Sequence, residues 1–137
     1  MLELYYKIWV DAIIKINRNP ILKKDWKWMT HAHITTMMGL NLMFISAIIQ
    51  KNLIGKFYYD INFKIFLNEN LNGFIESIFL YFLPPFLLNY FLIFKNNKYE
   101  NLLEKYKDIR GYYFFSYFFG SIIIMLSFII FGFIYFQ

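Results

Sequence analysis

Three long apolar stretches separated by charged ones set the pattern of this chain. A bilayer core is about 30 Å thick and takes about 20 apolar residues at 1.5 Å each. Residues 29–50 form the first stretch, interrupted by His31, His33 and Asn41. Residues 71–94 form the second, with Glu76, Pro84, Pro85 and Asn89 inside it. Residues 112–136 form the third and carry no charge, which a core helix of so short a soluble chain could not sustain. Residues 1–28 have a different period. Glu3, Lys7, Asp11, Lys15 and Arg18 share one helical face, and Leu2, Tyr5, Trp9, Ala12, Ile13 and Ile16 lie opposite. That pattern predicts a helix lying in the interface plane with its apolar face at the acyl boundary, ended by Pro20. Trp9, Lys23, Lys24, Trp26, Lys27 and Trp28 are the expected headgroup anchors.

The two connecting segments differ from each other. In residues 95–111, Tyr99, Leu102, Leu103, Tyr106 and Ile109 fall at helical spacing, which predicts a short interfacial helix closed by Gly111. In residues 51–70, Tyr59, Ile61, Phe63 and Ile65 alternate with Asp60, Asn62 and Lys64. That is strand periodicity, and a lone strand needs a partner. Asn68, Glu69, Asn70, Asn72 and Gly73 read as turn and cap residues before the second span. The expected fold is therefore an all-α integral membrane protein, a single membrane domain over 1–137. It has three transmembrane helices, an N-terminal amphipathic interfacial helix and a small external β-like loop.

Composition agrees: 59% of residues are hydrophobic and only 17% charged, against about 25% charged in a soluble domain. An aromatic content of 24% excludes a disordered chain. Of the 14 basic residues, all but Lys51, Lys56 and Lys64 fall on the side of the N-terminus. The positive-inside rule then places the N-terminus in the cytoplasm and the C-terminus outside. Topology and contact with the lipid bilayer account for the net charge of +5, so nucleic acid is not an expected partner. With no cysteine, there is no disulfide, thiolate metal site or Cys nucleophile. The start of the chain lacks the short apolar run and small-residue cleavage site of a signal peptide. The abundance of Ile, Phe, Tyr, Asn and Lys points to an AT-rich genome, bacterial or organellar.

The run Leu83-Pro84-Pro85-Phe86-Leu87-Leu88-Asn89-Tyr90-Phe91-Leu92-Ile93-Phe94, followed by Asn96-Asn97-Lys98-Tyr99-Glu100, resembles small uncharacterised multi-span inner-membrane proteins of AT-rich Bacteroidota-type bacteria. The likeness also takes in Tyr5-Tyr6-Lys7, Gly39-Leu40-Asn41-Leu42 and Asn62–Asn72. It implies a bacterial inner membrane rather than an organellar one, and it implies no chemistry.

Within the spans each polar residue has a packing reading and a sharper one. Asn41 and Asn89 would bond between helices or line a path. Antiparallel spans place Asn89 level with Thr35 and Thr36, and packing is the favoured reading. Pro84 and Pro85 remove the usual donors to the carbonyls of Leu80 and Tyr81, giving a kink or a helix broken at a site. Glu76, read as lying in the first turn of its helix, suits the dipole there, or else forms a proton or cation site. His31 and His33 point about 200° apart on a helix and cannot share a metal as His-x-x-x-His can. They read as headgroup residues. Ala32 with Thr36, Thr35 with Gly39, and Ser116 with Gly120 fit the small-x-x-x-small pattern of close helix packing, with Gly39 and Gly120 as the tightest expected contacts.

No nucleophile–base or metalloprotease signature occurs, so no enzyme, metal, cofactor or small-molecule substrate is expected. The expected function is non-catalytic protein binding through helices and loop, as an accessory subunit of a membrane complex or an immunity-type protein, with a protein partner or a homo-oligomer. The alternatives are an oligomeric pore or membrane-perturbing effector lined by Asn41, Pro84–Pro85 and Glu76, and a small transporter component.

Overall fold

The computed structural model describes residues 2–49, 64–109 and 111–135, and every regular element among them is a helix. α1 is Leu2–Arg18, α2 Trp26–Ile49, α3 Glu69–Ser77, α4 Leu83–Asn89, α5 Lys98–Lys105 and α6 Tyr113–Tyr135. The strand pattern at Tyr59–Phe63 lies outside the described residues, and Lys64 and Ile65 have no regular structure.

Two helical stretches are long and apolar enough to cross a membrane, Lys23–Ile49 and Glu69–Lys105. The second is not uniformly α. Ile78–Phe82 and Tyr90–Phe94 are π-helical. Pro84 and Pro85 stand at the start of α4, where the π-helical turn gives way to α-helix. The widened turn just before them closes through the Leu83 N–H to the Ile78 carbonyl. The prolines therefore change the winding of the span and do not interrupt it. The third apolar stretch is helical as α6, and Tyr113–Ser127 within it is a shorter apolar helix.

The cap residues act differently from their sequence reading. Asn68 is the N-cap of α3 and accepts from the Asn70 N–H at 2.9 Å. Asn70, Asn72 and Gly73 lie inside α3, because the helix starts at Glu69. Asn72 reaches back to tie the entering chain, accepting from the Ile65 and Phe66 N–H groups and donating to the Phe66 carbonyl. Glu76 consequently sits in the last turn of α3, and the acid of the first turn is Glu69. After the second span, Asn96 and Asn97 take left-handed φ of 58° and 54° and turn the chain into α5. Asparagine visits that region more readily than most residues. α5 ends at Lys105, so Gly111 is not its cap.

The main correction concerns α1. Its amphipathic face does not rest on a lipid surface. It packs against α2, α5 and α6 and supplies half of the buried apolar residues among those described, with Trp9, Val10, Ala12 and Ile13 fully buried. Ile34, Ile93, Tyr99 and Phe114 close around Trp9, Ala12 and Ile13. Even Asp11, on the charged face, is 2% exposed. Its Oδ2 accepts from the Phe114 N–H at 2.8 Å, in the first turn of α6, and from Lys15 Nζ at 3.1 Å. A carboxylate suits a helix N-terminus. Gly111 leaves room for it, since a Cβ there would collide with the Asp11 carboxylate.

Glycine contacts divide the packing expectations. A Cβ on Gly39 would come within 2.5 Å of the Phe82 ring, so α2 and the second span meet tightly there. A Cβ on Gly120 would meet nothing within 4 Å, and Ser116 is exposed, so the Ser116–Gly120 face makes no tight contact. Gly39→Ala should therefore cost about 1–3 kcal/mol through overpacking. Gly120→Ala should be neutral or stabilising by up to about 1 kcal/mol through helix propensity. Detergent unfolding followed by helical circular dichroism separates the two. Equal effects would contradict the packing described.

Candidate functional site

Polar side chains of α1, α2 and α4 converge on Asn89, which is 0% exposed. Its Nδ2 donates to Thr35 Oγ1 at 3.0 Å, and its Oδ1 accepts from the Tyr5 hydroxyl at 2.7 Å. Burial raises the pKa of the Tyr5 phenol, which keeps the proton that the bond requires. The network joins three helices through one amide. The sequence placed Asn89 level with Thr35 and Thr36. The structure brings Thr35 to it, while Thr36 is exposed on another face of α2. Tyr5 was read only as part of an apolar face, and nothing local in the sequence singles out its hydroxyl.

His31 lies beside this network and is 5% exposed, not at a headgroup surface. A carbonyl can only accept, so its Nε2 carries a proton and donates to the Phe86 carbonyl at 3.0 Å. The ring stacks on Phe86 at 4.4 Å and packs near Phe94 and Trp9 at 5.3 and 6.2 Å. Trp9 is likewise no headgroup anchor. It is 0% exposed, and its indole N–H is buried with no geometrically formed hydrogen bond among the described residues. His33 is exposed and bonds through Nδ1 to the Met29 carbonyl one turn back, so the two histidines diverge.

A second polar contact lies deeper along α2. Asn41 Nδ2 donates to Ser121 Oγ at 2.9 Å and to the Tyr117 hydroxyl at 3.3 Å, tying α2 to α6. Glu76 is half-buried. At the end of α2 nearest α1, Lys23, Lys24 and Trp28 are exposed, Trp28 by 61%. Trp26 is half-buried, edge-on to Tyr99 at 5.3 Å, and Lys27 Nζ lies 4.7 Å above the Tyr99 ring.

A cavity of about 370 Å³ lies between α2 and the second span. Trp28, Ala32, Thr35 and Thr36 line one wall, and Ile78, Phe82, Leu83 and Phe86 the other. It opens sideways, because Trp28, Thr36, Ile78 and Leu83 at its rim are exposed. Two of its residues touch the polar clusters: Thr35 holds Asn89, and the Phe86 carbonyl holds His31. The sequence offered Pro84 and Pro85 as the only hint of this cavity, through the altered winding before them. Comparison with protein-family models, with curated proteins and with solved structures finds no match.

Proposed function

We propose that this chain is a non-catalytic, three-span inner-membrane protein that works by binding another protein within the bilayer, as an accessory subunit or an immunity-type protein. The observation that carries this reading is how the intramembrane polar groups are used. Asn89, Thr35, His31 and Asn41 are all engaged in bonds from one helix to another. Such groups, once paired across helices, hold a bundle together and leave a path without its polar lining. The pore reading loses Asn41 on this ground. What remains for interaction is the outer surface, where Phe74, Leu88, Phe91, Phe119, Ile123 and Ile130 are exposed.

The uncharged third stretch is taken as a span on the strength of α6. The bias in basic residues supports a cytoplasmic N-terminus and a periplasmic C-terminus. Bacterial origin rests on the resemblance described above.

Extraction of the full chain from its native membrane into nanodiscs, followed by mass analysis, tests the proposal. The expected result is a second, different protein in a fixed ratio to this one. A monomer alone, or a homo-oligomer alone, would overturn it, and the homo-oligomer would favour a pore.

A further inference from the structure

The cavity between α2 and the second span has a size, a shape and a position that select one kind of occupant. We propose that it holds one acyl chain of a membrane phospholipid, with the headgroup at the Lys24–Trp28 end. This goes beyond the protein-binding reading and rests only on its membrane-spanning part.

The lining is the first argument. Seven of its residues are apolar or present methyl and ring surface, and Thr35, the most buried polar member, accepts the Asn89 amide with its hydroxyl. A polar ligand would find little to bond in the floor. Length is the second argument. Trp28, Ala32 and Thr36 are spaced four residues apart on α2, so the groove follows the helix for about 12 Å at 1.5 Å per residue. An extended hydrocarbon chain parallel to the span matches that shape.

A helix with its side chains is about 10–12 Å across, so it would lie over the open side of the groove, whereas a single extended chain can enter the cavity of about 370 Å³. Charge places the headgroup. Lys24 is exposed one turn before Trp28, and Lys23 beside it is also exposed. Basic residues at the membrane surface attract anionic lipid, and tryptophan sits at the headgroup level. Ile78 and Phe82, the two ends of the π-helical turn, line the groove, and such bulges are frequent at functional sites.

The test uses the full chain in nanodiscs of phosphatidylcholine and phosphatidylglycerol, with native mass spectrometry as the readout. The wild type should retain one phospholipid per chain after the annular lipid is stripped, with phosphatidylglycerol favoured. Ala32→Phe fills the groove and should lower retention about tenfold. Thr36→Leu narrows it at the other end and should lower retention several-fold, which keeps the test valid if Ala32→Phe fails to fold. Ile124→Phe, at an exposed position of α6 that does not line the groove, should leave retention unchanged. Equal retention by the wild type and the Thr36→Leu chain would overturn the proposal. So would loss of lipid from the wild type alongside a co-purifying protein that protects Trp28 from aqueous quenchers.

Discussion

Replacing Asn89 with leucine is expected to destabilise the bundle by about 2–3 kcal/mol, more than any other change within the second span. Leucine matches the amide in size, so the effect comes from hydrogen bonding and not from a cavity. One side chain bridges the Tyr5 hydroxyl and Thr35 Oγ1 in a site with no exposed surface. Bonds between membrane helices average about 0.6 kcal/mol and reach about 1.7. Two such bonds give about 1–3 kcal/mol. Leaving a buried polar partner unsatisfied adds about 1–3 kcal/mol for each group that cannot turn to another acceptor. Thr35 can bond back to its own helix, as Thr30 does to the Trp26 carbonyl at 2.7 Å. Tyr5 has no such route, so the net lies near the middle of the range. Unfolding in mixed micelles, followed by helical circular dichroism, gives the number. A double-mutant cycle of Asn89→Ala with Thr35→Ala should show about 0.5–1.5 kcal/mol of coupling. The same cycle with Thr36→Ala should show none, because Thr36 faces the groove. Coupling to Thr36 and not Thr35 would contradict the register of α2 against α4.

That register was legible because it needs only a fixed rise per residue and two antiparallel helices. The destination of α1 was not. Amphipathicity tells which face leaves water, and lipid or a helix bundle satisfies it equally. Trp9 shows the consequence, since an amphipathic helix with one tryptophan reads as an interfacial anchor until Ile34, Ile93 and Phe114 are found around it. The histidines were half legible. Their divergence follows from helical geometry, whereas the ring of Trp9, Phe86 and Phe94 around His31 draws on three separate helical segments. Gly120 failed as a packing residue for a related reason. A small-x-x-x-small pattern permits close approach but names no partner, and only Gly39 found one, in Phe82. The groove is lined by both ends of the π-helical turn before Pro84, whose extra residue leaves no mark in hydrophobic periodicity.

Asp11 should prove the most costly polar side chain to remove from α1, and Gly111 should fail with it. Asp11→Ala is expected to cost about 3 kcal/mol. Breaking a buried ion pair costs about 3–5 kcal/mol when the partner is left wholly without water. Lys15 keeps 22% of its side-chain exposure, which lowers that figure. Loss of an N-terminal cap then adds about 1 kcal/mol, since the Phe114 N–H loses its acceptor. Asp11→Asn keeps an oxygen for that N–H but not the charge, and should recover roughly half. Gly111→Ala should cost about 2–3 kcal/mol alone, because the new Cβ takes the place of the carboxylate and forces it away from α6. In the Asp11→Ala background the same change should cost under about 1 kcal/mol, since the nearest atom then left is at the flexible end of Lys15, 3.1 Å away. Unfolding of the four chains in mixed micelles measures all of this. If the two costs simply add, Gly111 is not there to admit Asp11, and the α1–α6 contact is held by Trp9, Ile13 and Phe114 packing alone.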